Sequence, residues 1–478
     1  MPQSFPYHRT IGAVLCAVVL AASAAAIFYK LTAEPLQDYD EATYTEVVHE
    51  ALVSHEYFSF TYGGVDYFKK PPLMFWAMLA SESILGETLF AERLPFALAA
   101  LVLIATVMLL VYEVSDDSWA AALSGAVLAT TTPFLMTARE VRFDAAVALF
   151  ITLAFYCALR ALTNSRWWIL FGIAVGFAVL AKSVIAVFAV IAALVLVALT
   201  RRATVFKDKN LYWGVFGGLL VALPWHLYEW ATFGNQFWRS YLGEEVFLRT
   251  QENLFWTVTI TNADYVHFAQ LFIWPWLAVF CIAIISTVMV WKWVRPQNRI
   301  AVLASFLTIV AMGAVFFISK TKAPTYVIPM YPFMAIAIAL SFASFTNKYA
   351  YLCAAAVGVA LVVLAAQFAT YNAYYYNPYF SVVVDMARDE YAIGKTIQSL
   401  PKQEPVYVYD DNNLGTIMYY AQHFPLIGFS ATSTPAVGSY IIVETLSVPQ
   451  FAKAFPMLST EIEYQGPQVT LFKTLSED

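Results

Sequence analysis

Four short regions of this chain carry charged residues in patterns that could hold an anion or move a proton. The first, DYFKKPPLMFW at 66–76, places Lys69 and Lys70 together directly before Pro71 and Pro72. Proline cannot continue a strand or a helix interior, so the two lysines are expected in a rigid loop. Two fixed ammonium groups suit a phosphate, each acting as a point charge. The competing reading is a pair of lysines that snorkel to a membrane interface. Upstream, QDYDEATYTEVVHEAL carries Asp38, Asp40 and Glu41 at the start of an amphipathic pattern. They read either as acids stabilising a helix N-terminus or as a carboxylate that orients or deprotonates an acceptor. The second stretch, TAREVRFDAA, carries Arg139, Arg142 and Asp144 at the mouth of an apolar run. An ionisable group there is costly against lipid, so Asp144 is expected to face inward and pair with one of the arginines. The third, SYLGEEVFLRT, holds Glu244, Glu245 and Arg249, and the fourth, ISKTKAPTYVIPMYP, holds Lys320, Lys322, Pro324 and Tyr326.

These residues must be positioned by apolar elements, because the chain offers little else. Of 478 residues, 60% are hydrophobic and only 13% are charged, against about 25% in soluble domains. So little charge cannot solvate a surface, and lipid is the expected solvent. Cys16, Cys157, Cys281 and Cys353 all lie in apolar runs, where they read as small hydrophobes and not as disulfides or metal ligands. A spanning helix needs about 20 apolar residues. Eleven spans are expected, at 11–29, 91–112, 118–136, 143–162, 167–181, 183–199, 211–228, 267–291, 300–318, 327–345 and 349–369. The first is read as an uncleaved anchor, being long for a signal peptide. The stretch 71–85 is too short to span and is expected along the interface.

With Arg9 in the cytoplasm, the basic loops 200–210 and 292–299 fall inside, as the positive-inside rule expects. Lys69 and Lys70, Arg139 and Arg142, Arg239 and Arg249, and Lys320 and Lys322 then fall outside and break that rule. A bound anion gives those exceptions a common reason. After about residue 370 the composition changes. EPVYVYD and SYIIVETL read as strands, and MARDEYAIGKTIQSL as an amphipathic helix. The expected fold is therefore a polytopic α-helical membrane domain, residues 1–370 with a catalytic outer loop at 30–90, followed by a small extracytoplasmic α/β domain at 371–478.

The motifs DYDEATY, YFKKPPLMFW, FAERLPFALAA, AREVRFDA and SKTKAPTYVIPMYP resemble those of the aminoarabinose transferases that modify lipid A. Their wider relatives, the dolichyl-phosphate-mannose protein mannosyltransferases, share the C-type glycosyltransferase architecture. The resemblance covers about residues 35–330. It implies a polyprenyl-phosphate sugar donor, an active site on the periplasmic side of a bacterial inner membrane, and an acceptor that is lipid A, a glycan or a protein, with no nucleic acid among the partners. It further implies catalytic roles for Asp40, Glu41 and Asp144. Phosphate contacts are implied for Lys70, Lys320, Lys322 and Tyr326, and Tyr44, Lys69, Arg139, Arg142, Glu245 and Arg249 are further candidate substrate-binding residues of this sequence.

Two departures stand out. Lys69 replaces the family's glutamate before the motif lysine, and Glu244–Glu245 replaces its Glu-His pair. In the family that glutamate and histidine suit a divalent metal. Here a lysine cannot ligate and the imidazole is gone, so no metal ligand is assigned and a Lys69–Glu245 ion pair is expected instead, with a divalent metal held on the altered pattern left open as the alternative. The expected chemistry is a single displacement at the anomeric carbon with inversion. The alternatives are a protein O-mannosyltransferase-type enzyme and, from another class, a lipid-linked sugar transporter or flippase. A flippase should show internal repeats and mid-membrane charges, and neither is evident here.

Overall fold

The computed structural model describes residues 6–37, 40–252, 261–274, 276–289, 292, 294–343, 358, 378–400, 405–409, 415–421, 426–429, 435–467 and 469–475. Its contacts divide the chain into two units. The first comprises residues 1–29, 66–86 and 93–369, and the second 30–65, 87–92 and 370–478.

The first unit is helical. Among the described residues seven helices are long and apolar enough to cross a membrane: Thr10–Phe28, Leu89–Ser115, Phe143–Ala161, Trp167–Thr200, Lys209–Phe233, Pro296–Ile318 and Pro324–Ala343. The protein is thus an integral membrane protein. Four expected spans take other forms. The 118–136 run divides into Ser118–Ala129 and Thr132–Thr137, because Thr131 is extended and Pro133 starts a new helix. The 267–291 run divides into Asn262–Phe272 and Trp276–Met289, with Pro275 between them in sequence. The runs 167–181 and 183–199 meet at Lys182 and Ser183, where Ser183 has φ +50° and a short 3-10 turn begins. The expected span 349–369 lies, save for residue 358, outside the described residues. Residues 73–85 form a helix of 13 residues.

Small residues let two of these helices meet backbone to backbone. Gly172 and Gly176 on Trp167–Lys182 face Gly214 and Gly218 on Lys209–Phe233, and a Cβ on any of the four would collide with the opposite main chain. Glycines spaced four apart on both partners are what close packing in lipid requires, since dispersion there replaces the hydrophobic drive.

The second unit is α/β. Strand Val406–Tyr409 lies parallel to both Leu426–Phe429 and Tyr440–Glu444. Val469–Thr474 runs antiparallel to Tyr440–Glu444 and to the edge strand Thr460–Gln465. Side chains alternate between two cores, as a sheet covered on both faces demands. Val406, Val408, Ile442 and Leu471 meet Ile393 and Ile397 of the helix Pro378–Gln398. Ile441, Val443 and Phe472 meet Phe451. The strands and helix expected from EPVYVYD, SYIIVETL and MARDEYAIGKTIQSL are present.

Residues 30–65 and 87–92 join this sheet unit. Arg388 makes a two-pronged ion pair with Glu34, at 3.1 and 2.9 Å. Tyr420 Oη accepts from Leu36 N at 3.1 Å, and Tyr419 Oη donates to Glu92.

Candidate functional site

Asp144 lies in the first turn of Phe143–Ala161, and Lys182 in the last turn of Trp167–Lys182. Each charge therefore sits at the helix end whose dipole favours it. The two helices pack together and bring Lys182 Nζ to 2.6 Å from Asp144 Oδ1. Asp144 faces inward as expected, but its partner is this lysine and not an arginine. Lys182 carries no motif signal. Its only mark in the sequence is being a charged residue within a long apolar run, which in a membrane protein points to function.

A second group is assembled by aromatic packing. Phe68 lies edge-on to Phe233 and Phe237, with centroids 4.9 and 5.8 Å apart. Phe237 stacks on Tyr241 at 5.0 Å, and Tyr241 Oη lies 3.0 Å from His226 Nε2. This cluster pins the Phe68 loop beside the segment Arg239–Leu248, which is wound as a π-helix. Two residues after Phe68 comes Lys70, and four after Tyr241 comes Glu245. Lys70 Nζ lies 3.0 Å from Glu245 Oε2, and Arg249 Nη2 lies 2.9 Å from Glu245 Oε1. Arg249 Nη1 donates to Tyr326 Oη at 3.0 Å. The Tyr326 ring lies under Lys182 Nζ, 5.8 Å from the centroid. Six side chains from five separate stretches thus form one line: Lys70, Glu245, Arg249, Tyr326, Lys182 and Asp144.

The backbone reinforces the line. Thr321 N donates to Arg249 O at 3.0 Å, and Thr321 Oγ1 to Glu252 O at 2.6 Å. The SKTKAP loop is thereby fastened to the end of the π-helical segment. Burial pushes the Glu245 carboxyl up, but the charges of Lys70 and Arg249, the Lys70 hydrogen bond and the charge of Lys69 outweigh it and hold it below the usual range. Burial pulls the Arg249 guanidinium down, yet Tyr326 and Glu245 raise it on balance. Buried Arg249 Nε finds no partner among the described residues.

The remaining expected site residues lie elsewhere. Glu245 pairs with Lys70 and not with Lys69, which is exposed. The aromatic packing around Phe68 sets this loop so that Lys70 reaches the carboxylate and Lys69 stays exposed. Arg139 closes the end of the first helix, with Nη1 at 2.6 and 2.9 Å from Ala26 O and Ile27 O and Nη2 at 2.7 Å from Tyr29 O. Those carbonyls have no partner further along the helix, so a guanidinium suits them. Arg142 pairs with Glu140 at 2.6 Å. Lys322 is buried and folds back on Ser319 O, and Lys320 is exposed.

In the second unit, Asp40 opens the helix Asp40–Ser54 and accepts from Tyr44 Oη at 2.7 Å. Glu41 is fully buried and accepts from Gln37 N at 3.0 Å, an anchoring role for the turn before the helix.

The positions that would hold the resembling family's divalent metal are altered here. A lysine occupies one ligand position, and the Glu245 carboxylate is committed to two cations. Among the described residues no three histidine, cysteine or acidic side chains converge.

Comparison with known proteins agrees with this architecture. Residues 69–228 match the family described as dolichyl-phosphate-mannose-protein mannosyltransferase. The undecaprenyl phosphate-alpha-4-amino-4-deoxy-L-arabinose arabinosyl transferase 2 of Proteus mirabilis is 25% identical over 67% of this chain and 57% of its own length. The corresponding transferase of Yersinia enterocolitica is 27% identical over 65% and 56%. The chain therefore spans less than two thirds of the length of the curated relatives it matches. In structure, ArnT from Cupriavidus metallidurans bound to undecaprenyl phosphate superposes with a TM-score of 0.72 at 18% identity, covering 96% of this chain and 97% of that one. The mycobacterial arabinofuranosyltransferase AftD gives 0.53 at 12% identity, over 98% of this chain and 40% of that one. In sequence the chain is similar to the aminoarabinose transferases, and its fold is like that of ArnT.

Proposed function

We propose that this protein is a membrane glycosyltransferase that moves a sugar from a polyprenyl-phosphate donor to an extracytoplasmic acceptor. The observation that carries the proposal is the convergence of Lys70, Arg249 and Lys182 through Glu245, Tyr326 and Asp144. Cations fixed before the reaction suit a phosphate on which charge grows as the sugar leaves. Charged side chains held in a membrane protein by lattices of contacts, instead of being distributed along a channel, favour chemistry over transport. The solved ArnT structure with undecaprenyl phosphate, and the arabinosyl transferases that match in sequence, support the donor class.

Acting as a single displacement, the reaction inverts the anomeric centre. Lys70 and Arg249 stabilise the leaving phosphate, Tyr326 orients the guanidinium, and the Asp144 carboxylate holds Lys182 over the Tyr326 ring. Asp40 orients or deprotonates an acceptor hydroxyl, and only positions an acceptor that is already anionic. The basic loops 200–210 and 292–299 support an active side on the opposite face, the periplasmic face of an inner membrane. A protein hydroxyl is the second acceptor reading, favoured by the family match over residues 69–228.

The test is transfer from a radiolabelled undecaprenyl-phosphate sugar by purified protein in nanodiscs, with lipid A, glycan and peptide acceptors compared. Transfer to any of them that is lost in Lys70→Ala and Arg249→Ala supports the reading. Lipid-linked sugar crossing the bilayer without transfer refutes it.

A further inference from the structure

Glu245 does to two cations what a phosphate would do. One carboxylate oxygen lies 3.0 Å from Lys70 Nζ and the other 2.9 Å from Arg249 Nη2. Both are charge-assisted hydrogen bonds, the kind by which lysine and arginine hold phosphate oxygens. Side-chain exposure is 13% at both Lys70 and Glu245, so solvent does little to weaken the carboxylate's field. The segment that carries it, Arg239–Leu248, is π-helical over ten residues, a geometry that is rare and concentrated at functional sites. Arg249 still has a buried Nε–H without a partner among the described residues.

Resting on the proposed donor class, we infer that Glu245 determines phosphate specificity, preventing the cation cluster from retaining its own product. In the reaction the bond from the anomeric carbon to the phosphate oxygen breaks, with its electron pair passing to that oxygen. The acceptor oxygen bonds the anomeric carbon, and its proton leaves to a base or to solvent. The donor is a singly charged phosphodiester. The product is a phosphomonoester carrying about −1.5 to −2 at pH 7, its second pKa being about 6. Lys70, Arg249 and Lys182 alone would grip the added charge strongly. Glu245, with Asp144, leaves the line a single net positive charge. Repulsion between one added phosphate charge and a carboxylate a few ångströms away, at an effective dielectric of about 20, alters binding by about tenfold or more. Donor and product then bind comparably, and the product leaves.

The experiment uses the full chain in nanodiscs with two probes, undecaprenyl phosphate and its methyl ester, the latter a singly charged diester. Native mass spectrometry gives the affinity ratio of monoester to diester. Glu245→Gln keeps the shape and removes the charge. It is expected to shift that ratio about tenfold or more toward the monoester, with a matching rise in product inhibition of transfer. An unchanged ratio in folded Glu245→Gln overturns the inference and leaves the donor class standing. If the wild type binds neither probe, the donor class falls and the inference with it. The wild type alone gives a second reading that needs no variant. Between pH 5 and 7.5, as the probe loses its second proton, monoester affinity is expected to change less than about threefold. A tenfold rise overturns the inference.

Discussion

The Lys182–Asp144 pair offers a way to separate folding from chemistry within one site. The two groups are 2.6 Å apart, with Asp144 4% and Lys182 18% exposed. At an effective dielectric of about 20 their attraction is about 6 kcal/mol before desolvation is charged against it. Lys182→Met fills the space but leaves a buried carboxylate without its cation, which costs about 3–5 kcal/mol. Asp144→Asn strands the ammonium in the same way. The double variant Lys182→Met/Asp144→Asn removes both charges, and replacing a buried pair by neutral groups of like volume is close to neutral. Unfolding in nanodiscs, followed by tryptophan fluorescence at fixed heating rate, should show large losses in each single variant. The double variant should recover most of the loss. Transfer activity should be lost in all three, since Lys182 no longer lies over Tyr326. Single variants as stable as wild type, or a double variant no better than the worse single, would refute the coupling. Restored transfer in the double variant would remove the pair from the chemistry.

Asp40→Asn should cut transfer by about 10²-fold or more while expression and unfolding midpoint stay near wild type, and Lys70→Ala should cut transfer as much and also lower the midpoint, because Glu245 loses one of its two cations. Normal turnover in either excludes that residue. Gly214→Leu should drive a side chain into the backbone facing it and cost upward of about 1–3 kcal/mol, read as lost yield of monodisperse protein. Glu245 is depressed by its cations against the pull of burial, so its bridge stabilises the fold above the ordinary carboxylate pKa of about 4.3 and loses that contribution as pH falls through its own lower value. The stability difference between wild type and Glu245→Gln should therefore be flat from pH 5 to 8 and shrink under about pH 4. A difference that shrinks near pH 7 would contradict the assignment.

Charge stands out in a chain this apolar, which is why Lys70, Asp144, Glu245, Arg249 and Tyr326 were readable from sequence. Lys182 was not, because its run reads as the junction of two spans. Arg139 and Lys322 show the converse difficulty. Both turn back onto main-chain carbonyls, and residue type does not distinguish a carbonyl partner from a ligand. Lys69 and Lys70 differ only in direction, which depends on packing around Phe68. In the sheet unit the central strand YIIVE is continuously buried and announces itself, whereas the edge strand TEIEYQ is mostly exposed and carries weak alternation. Residues 30–65 could be seen as a loop, but not as part of the sheet unit, because ties such as Leu36 to Tyr420 span hundreds of residues.

Those ties make the tail a poor candidate for simple removal. Glu34, Leu36 and Glu92 find partners in Arg388, Tyr420 and Tyr419. Cutting the chain at residue 370 would therefore strip the helix bearing Asp40 of its support at the same stroke. Any exchange of this module with that of a relative has to be a three-piece graft, carrying 30–65 and 87–92 along with the carboxy-terminal residues.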